Sequence, residues 1–295
     1  MSYIVLRSLM PNFDSSPSLS EILPEIAKTS TKIRPRKQFG QHWLRSEAVL
    51  NKIVAAGQLQ QGDRILEIGP GTGNLTRLLL PLVQNLTAVE IDRDLCEKLR
   101  KTFTAKNAPN FELIEGSFLD IPLPETPNKV IANIPYNITG EILKKLLGTL
   151  ADPISQFERI VLLVQKEIGD RLVARSGTKS YNSLSVRMQY LADCRLVCDV
   201  PASAFYPPPK VNSAVVTISP RSPITVADDP QFLDRLLTLG FATKRKMLRN
   251  NLVSVIDRDR LVTLLEAMEI NPQVRAEDLS VAQWVALSAA IKESI

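Results

Sequence analysis

The chain has 295 residues, of which 44% are hydrophobic and 23% charged, as is ordinary for a soluble globular protein of one large or two modest domains. Its longest apolar stretches, such as Arg159–Val164, have the length of a strand, which excludes a membrane-spanning helix. The formal net charge is +5, and its distribution along the chain carries more information than its size.

Two basic clusters hold most of that charge. They are Lys32, Arg34, Arg36 and Lys37 near the N-terminus, and Lys244, Arg245, Lys246 and Arg249 further on. These eight positive charges exceed the net charge of +5, so the rest of the chain carries a net charge of −3. Local clusters on a mildly acidic chain favour a polyanionic partner, although a solvated surface is the commoner fate of any single charge run.

The first 32 residues are rich in Ser, Pro and Thr and show little periodicity. We therefore expect a flexible N-terminal tail, residues 1–32, with at most one short helix near residues 19–28. The start of the chain lacks the charged, apolar and cleavage regions of a secretory signal, so we expect none.

Cysteine and histidine usage argues against disulfides and metals. Cys194 and Cys198 lie four residues apart in a predicted strand, which separates them by roughly 13 Å, too far for a disulfide. Cys96 is the third cysteine and His42 the only histidine, and no Cys/His group has zinc spacing. We infer a reducing compartment and no structural metal.

From about residue 47, strand and helix patterns alternate. The predicted strands are 64–69, 86–92, 111–116, 129–134 and 159–165, and the helical patterns among them are 74–83, 93–103 and 139–150. Because the strands are apolar with few polar positions, the alternation predicts a mainly parallel sheet covered on both faces. A helix at 180–192 then precedes strands 194–200 and 213–220, which we expect to form an antiparallel edge pair.

The pattern changes after Pro220 and Pro223, where only helices are predicted. They cover residues 228–241, 244–256, 258–270 and 280–293. We therefore divide the chain into a domain at 33–220 and a small all-helical domain at 221–295. In the 244–256 helix, a helical wheel puts Arg245 within the apolar face, where it would bridge the domains or snorkel. Lys246 and Arg249 lie to one side of that face and would meet phosphates.

A glycine-rich turn joins the first predicted strand to its helix. Gly69, Gly71 and Gly73 permit positive φ and close approach of a ligand to the backbone. Glu90 follows at the end of the second strand, 21 residues after Gly69, where an acid binds ribose hydroxyls in doubly wound folds. The dinucleotide fingerprint fails because Asn74 stands at its last glycine. The turn resembles the S-adenosylmethionine turn of class I methyltransferases, although a tight connection alone would also use glycine.

The segment "NIPY" ends the fourth predicted strand, where ligands bind in such sheets. The exocyclic amine of a base is a poor nucleophile, because its lone pair is delocalised into the ring. Acceptors aimed at its N–H groups localise that pair, and the Asn133 side-chain oxygen and the carbonyls beside Pro135 could serve. Tyr136 offers a face for a base flipped out of its stack. Methyl transfer then needs positioning more than a general base; the alternative is a turn with a packed tyrosine.

Several segments in order carry a family resemblance. They are "FGQHWL", "EIGPGTG", "VEID", "NIPYNI", "LVQKE", "SAFYPPPKVNSAVV" and "RAEDLSVAQW". From about Arg34 to its end, the chain resembles the ribosomal RNA adenine dimethyltransferases, in their bacterial small-subunit branch. The resemblance implies a Rossmann-like class I methyltransferase fold that uses S-adenosylmethionine to make paired N6,N6-dimethyladenosines near the 3′ end of the small-subunit RNA.

The resemblance also implies residue roles. His42 and Leu44 lie beside the cofactor, Gly69 and Glu90 bind it, and Asn133 links it to the target amine. Relatives place Asp after the third strand to bind the cofactor's adenine, whereas this chain has Ser117 there and Asp120 three residues on. Either residue could take that role.

Two further residues, Phe205 and His42, each have two possible roles. Phe205, before the "PPPK" run, is a second aromatic for the target base or a core phenylalanine. His42 is a ligand neighbour or a buried, satisfied histidine. For RNA binding we single out Arg34, Arg36 and Lys37 with Lys246 and Arg249.

The expected partner is small-subunit ribosomal RNA or the small ribosomal subunit, met by a cytoplasmic monomer without a membrane. Two alternatives stay open: a macrolide-resistance methylase acting on large-subunit RNA, and a nucleic-acid-binding factor on a methyltransferase fold that has lost catalysis. Intact Glu90 and "NIPY" argue against the second.

Overall fold

The computed structural model describes residues 35–36 and 39–294, which fall in a compact unit that begins at Pro35. The expected tail at 1–32, with its helix at 19–28, lies outside the described residues. Within the described ranges, every helix is too short or too polar to cross a lipid bilayer.

The described residues form nine strands. They are β1 (Trp43–Leu44), β2 (Arg64–Ile68), β3 (Asn85–Glu90), β4 (Phe111–Glu115), β5 (Lys129–Asn133), β6 (Arg159–Gln165), β7 (Ala192–Val200), β8 (Phe205–Tyr206) and β9 (Ser213–Pro220). Seven of them form one sheet in the order β4-β3-β2-β5-β6-β9-β7. Strands β2 to β6 are parallel, and β9 runs antiparallel to both β6 and β7. The mainly parallel sheet and its antiparallel edge are confirmed.

Burial explains why the central strands read as continuous apolar runs. Nearly every residue of β2, β3, β5 and β6 is buried, because helices cover both faces of the sheet. The edge strand β7 is mostly exposed and carries a bulge between Leu196 and Cys198. Strand order reverses around β2, which places a crevice at the carboxyl ends of β2 and β5.

Ten helices are described. They are α1 (Glu47–Gly57), α2 (Thr76–Leu79), α3 (Arg93–Thr102), α4 (Thr139–Leu147), α5 (Lys166–Leu172), α6 (Ser183–Leu191), α7 (Pro230–Gly240), α8 (Leu248–Asn251), α9 (Arg258–Ala267) and α10 (Val281–Ser294). Helix α5 is absent from the sequence-based assignment. The helix expected at 74–83 is short because Pro81 lies in a 3-10 turn at Leu80–Leu82, where its missing N–H ends the α-helical pattern.

The prediction of a single helix at 244–256 is wrong. Residues 243–247 form an exposed turn, and only Leu248–Asn251 are α-helical. Two hydrogen bonds favour the turn: the Leu248 N–H donates to the distant Val274 carbonyl at 2.8 Å, and Asn251 Nδ2 donates to the Thr243 carbonyl at 3.1 Å. Arg245 is therefore exposed and neither snorkels nor bridges domains.

The C-terminal helices pack directly on the rest of the described chain. One buried apolar cluster includes Leu66 of β2, Leu191 of α6, Leu236 of α7 and Trp284 of α10. Arg187 of α6 also donates to the Asp234 carboxylate at 2.6 Å. The core is thus continuous across residue 220, and the division at that residue remains a prediction from the sequence pattern.

Candidate active site

A pocket lies where the carboxyl ends of the parallel strands meet. Its wall comes from the segments that follow β2, β3, β4 and β5 and from the chain before α1. The lining residues used below are Gln41, His42, Trp43, Leu44, Glu67, Gly69, Gly71, Glu90, Ser117, Asn133, Pro135 and Tyr136. The residues that the sequence places at the strand ends, among them Gly69, Glu90 and Asn133, therefore line one common pocket.

The glycine turn builds one wall of the pocket. Gly69 and Gly71 have φ of +67° and +59°, in the left-handed region that favours glycine. The Gly69 N–H donates to the Val89 carbonyl at 2.9 Å. Gly73 has a different position: it does not line the pocket, and a Cβ there would lie 2.8 Å from the Phe103 ring. Gly73 therefore packs against Phe103 behind the pocket wall, and its contact with a cofactor stays a prediction.

Glu90 is held by backbone donors at the end of β3. Its Oε1 accepts from the Asp92 N–H at 2.9 Å and its Oε2 from the Gly71 N–H at 3.1 Å. Burial raises the pKa of this carboxyl, and the two backbone hydrogen bonds oppose that rise. The carboxylate is thereby fixed in orientation, and its remaining lone pairs can accept further hydrogen bonds.

Glu67 is a second pocket acid, which sequence reasoning did not select as a site residue. It is 1% exposed, and its Oε2 accepts from Thr76 Oγ1 at 2.7 Å. Burial and the nearby Glu90 raise the pKa of Glu67 to about 8, so it is mainly neutral at pH 7. The only sequence signal was an acid two residues before the glycine turn.

The side chains of "NIPY" converge with the chain before α1. Asn133 Nδ2 donates to the His42 carbonyl at 3.2 Å, which leaves Asn133 Oδ1 as an acceptor. The Tyr136 hydroxyl pairs with Ser213 Oγ at 2.5 Å, and its ring is stacked with that of His42 at 6.2 Å between centroids. Pro135 also lines the pocket.

Residues 39–44, which we call the pocket arm, close the remaining side. His42 Nδ1 pairs with the Pro207 carbonyl at 2.7 Å, and Asn74 Nδ2 donates to the Leu44 carbonyl at 2.8 Å. Strand β1 of the arm pairs with β8, an interaction that the sequence did not reveal because each strand has only two residues. Trp43 Nε1 is buried with no hydrogen-bond partner among the described residues.

The structure locates the residues of two alternatives left open above, Ser117 against Asp120 and the surroundings of Phe205. Ser117 lines the pocket, whereas Asp120 is exposed and lies outside it. Phe205 is 4% exposed and sits in a buried cluster with Leu44, so it occupies the position of a core phenylalanine and offers no open face to a base.

The predicted RNA-binding cations differ in surroundings. Arg36 is engaged by acids: its Nη1 lies 3.1 Å from Asp92 Oδ1, and its Nη2 pairs with Asp94. Arg36 is thus held in ion pairs while 41% of its side chain stays exposed, and its contact with RNA phosphates stays a prediction. Lys246 is exposed and Arg249 half-buried, and Arg34 and Lys37 lie outside the described residues. Over the described ranges, no group of three or more His, Cys, Asp or Glu could hold a metal.

The sheet order and the pocket at its strand ends define a class I methyltransferase, and solved structures share that fold. The chain superposes on a dimethyladenosine transferase from Plasmodium falciparum with a TM-score of 0.73 at 28% identity, covering 85% of this chain and 98% of that chain. For the 23S rRNA methyltransferase ErmE the TM-score is 0.69 at 25% identity, covering 85% and 99%.

The chain belongs to the ribosomal RNA adenine dimethylase family, whose model matches residues 32–293. Curated relatives named ribosomal RNA small subunit methyltransferase A include one from Nostoc sp. strain PCC 7120, 59% identical, with 87% of this chain and 97% of the relative covered. The relative of that name from Acaryochloris marina is 55% identical, with 88% and 98% covered.

Proposed function

We propose that the protein is an S-adenosylmethionine-dependent methyltransferase that converts two adjacent adenosines near the 3′ end of small-subunit ribosomal RNA to N6,N6-dimethyladenosine. The observation that carries this is Asn133 Oδ1, which lies in the wall of a methyltransferase pocket and has no hydrogen-bond partner among the described residues. Family membership and relatives above 50% identity named small subunit methyltransferases support the choice of RNA.

The pocket's donor set fits S-adenosylmethionine. Glu90 would accept hydrogen bonds from the ribose hydroxyls, as acids at the end of the second strand do in doubly wound folds. Gly69 and Gly71 let a ligand approach the backbone closely, and Trp43 Nε1, which is buried without a partner among the described residues, is a further donor. Ser117, rather than the exposed Asp120, would reach the adenine ring. His42 and Leu44 complete the wall.

The cofactor supplies a methyl carbon made electrophilic by its bond to a positively charged sulfur. Asn133 Oδ1 accepts one N–H of the target amine, which localises the nitrogen lone pair for attack, and carbonyls next to Pro135 accept the other. The cofactor would also supply the leaving group, because its sulfur would take the electron pair of the broken S–C bond as the nitrogen bonds to the methyl carbon. The nitrogen then loses its proton to water, so no general base is required.

Asn133 also suits a second transfer on the same nitrogen. After one methyl has been added, the amine retains a single N–H, for which one acceptor is enough. Tyr136 holds the base by its ring face, and the hydrogen bond of its hydroxyl to Ser213 fixes the ring. The same residues therefore serve both methylation steps.

The RNA is proposed to bind across both parts of the chain. We assign residues 33–220 to methyl transfer and 221–295 to RNA binding, with exposed Lys246 and half-buried Arg249 as phosphate contacts. The enzyme would work as a monomer in the cytoplasm, on the small subunit or its RNA.

Cofactor binding tests this function directly. Calorimetric titration of the full chain with S-adenosylmethionine should give saturable binding. Absence of affinity would contradict the enzymatic proposal and favour a nucleic-acid-binding factor that has lost catalysis. Transfer to large-subunit RNA in place of small-subunit RNA would instead favour a methylase of the macrolide-resistance type.

A further inference from the structure

We propose that Asp92 is a positioning residue for the cofactor site, because it fastens the pocket arm to the end of β3 and orients Glu90 at the same time. The inference rests on the proposed function, in which this pocket takes S-adenosylmethionine. It also gives Arg36 and Gln41 a role in cofactor binding.

Asp92 stands at the centre of a partly buried hydrogen-bond network. Its side chain is fully buried, and its carboxylate accepts from Arg36 Nη1 at 3.1 Å, Gln41 Nε2 at 2.8 Å and the Asp94 N–H at 3.1 Å. Its own N–H donates to Glu90 Oε1 at 2.9 Å. One residue therefore contacts both the pocket arm and the acid proposed to hold the ribose.

The network also closes on itself. The Arg36 N–H donates to Gln41 Oε1 at 2.8 Å, so the Gln41 amide is held at both ends. A carboxylate removed from water needs such partners, because an unpaired buried charge is costly. Asp92 therefore holds Arg36 and Gln41 together at the end of β3.

An ordered arm matters because the pocket is open without it. Gln41, His42 and Trp43 all line the pocket. If they were mobile in the free protein, cofactor binding would have to order them, and the entropy lost would weaken affinity. Pre-ordering by Asp92 removes that cost before the cofactor arrives.

The arm has other attachments, so the effect should be graded. The Asn133 amide holds the His42 carbonyl, and the Asn74 amide holds the Leu44 carbonyl. These bonds keep the end of the arm near the pocket when Asp92 is altered. We therefore expect weaker cofactor binding rather than a collapsed site.

Asp92→Asn tests the role with little disturbance to the fold. Asp92 is the N-cap of α3, and Asn caps helices as well as Asp does, so the helix should persist. The substitution removes the charge that pairs with Arg36. It also places an amide group where Gln41 Nε2 now donates to a carboxylate oxygen. Asp94→Asn is the matched control, because Asp94 pairs with Arg36 only at the surface.

The first readout is binding and kinetics. We expect Asp92→Asn to raise the dissociation constant of S-adenosylhomocysteine and the KM for S-adenosylmethionine by about tenfold, as for loss of a charge-assisted hydrogen bond. The kcat at saturation and the KM for RNA should stay within about twofold of wild type. Asp94→Asn should change none of these values.

The second readout needs no cofactor. The chain has two tryptophans, so in a Trp284→Phe background the fluorescence reports on Trp43 in the arm. Acrylamide should quench Trp43 at least about twofold more strongly when Asp92→Asn is added, because indole exposure follows arm mobility. The double variant Arg36→Ala with Gln41→Ala, which leaves the α3 cap intact, should behave in the same way.

These measurements distinguish a failure of the proposed function from a failure of the positioning role of Asp92. Wild-type protein without affinity for either cofactor form would overturn the proposed function, while Trp43 quenching would still test the fastening of the arm. Wild-type affinity and quenching in both Asp92→Asn and the Arg36/Gln41 variant would overturn the inference. A weakened RNA interaction with unchanged cofactor binding would return Arg36 to the phosphate-binding role expected from the sequence.

Discussion

Single side chains in the pocket owe their chemistry to burial. Glu67 and Glu90 are both acids at strand ends, yet Glu67 accepts from one hydroxyl, whereas Glu90 accepts from two backbone N–H groups. Hydrogen bonds to a carboxylate favour its charged form, and burial disfavours it. The pocket therefore contains one mainly neutral acid, Glu67, and a second acid, Glu90, that accepts more hydrogen bonds.

Glu67 gives a stability prediction whose sign follows from its pKa of about 8, above the ordinary value of 4.5. Between these values the folded state binds the proton and the unfolded state does not, so rising pH favours unfolding. The free energy of unfolding should fall between about pH 5 and pH 8, with a contribution from Glu67 of up to roughly 3 kcal/mol.

Urea unfolding of wild type and Glu67→Gln at several pH values checks this. Gln keeps an acceptor for Thr76 and does not titrate, so the variant should lose less stability over that range. Parallel curves for the two proteins would contradict the raised pKa of Glu67.

Residue roles divide into those that the sequence could predict and those that it could not. Asn133, Glu90 and the first two glycines follow strands, and strand ends in a parallel sheet converge, so their common pocket was predictable. Glu67, Asp92 and Arg36 owe their surroundings to contacts across the fold. Local sequence shows an arginine in a basic run, and only the structure shows two carboxylates around it.

At the scale of elements, the glycine turn serves both ligand approach and packing. Gly69 and Gly71 line the pocket, but Gly73 lies behind it against Phe103 and Leu99 of α3. The turn therefore sets how closely the chain before α2 packs on the neighbouring helix. This division among three similar glycines could not be read from their spacing.

Gly73→Ala should destabilise the fold more than it alters the pocket. The left-handed φ of +80° costs about 1–2 kcal/mol for Ala, and the clash with Phe103 adds about 1–3 kcal/mol. Gly177→Ala is the matched control, with the same φ of +80° but open space around the new Cβ. Thermal unfolding should separate the two variants, and equal losses would show that packing on Phe103 contributes nothing.

Regular elements were more predictable than irregular ones. The central strands were visible as apolar runs because they are buried on both faces. The prediction of a helix at 244–256 was wrong because its apolar spacing is also compatible with a turn. Asn251 stabilises that turn from within the segment and Val274 from outside it. The β1–β8 pair was missed because two residues leave no periodic signal.

At the scale of the whole molecule, one apolar core joins the sheet to the C-terminal helices. The candidate active site lies at the strand ends, and the proposed phosphate contacts lie in the turn between α7 and α8 and in α8 itself. A continuous core would keep the distance and orientation between these two surfaces constant, so that both could contact one RNA.

Replacing Lys246 and Arg249 with Ala should reduce the salt dependence of RNA binding. Each lost phosphate contact lowers the slope of log affinity against log salt by about 0.7 to 0.9, so the pair should lower it by roughly 1.5. Filter binding over a salt series measures the slope. Alanine at the exposed Lys101 and Lys106 is the charge-matched control, and an equal change in both variants would remove the special role of the 246–249 surface.

Mapping methylated adenosines after incubating the protein and S-adenosylmethionine with undermodified small ribosomal subunits tests the proposed function most directly. We expect N6,N6-dimethyladenosine at two adjacent positions near the 3′ end of the RNA. Asn133→Ala should lower the rate at least about 100-fold with RNA binding nearly unchanged, whereas Ala at the exposed neighbour Asn137 should not. Unmethylated RNA with the wild-type protein, or full activity of Asn133→Ala, would contradict it.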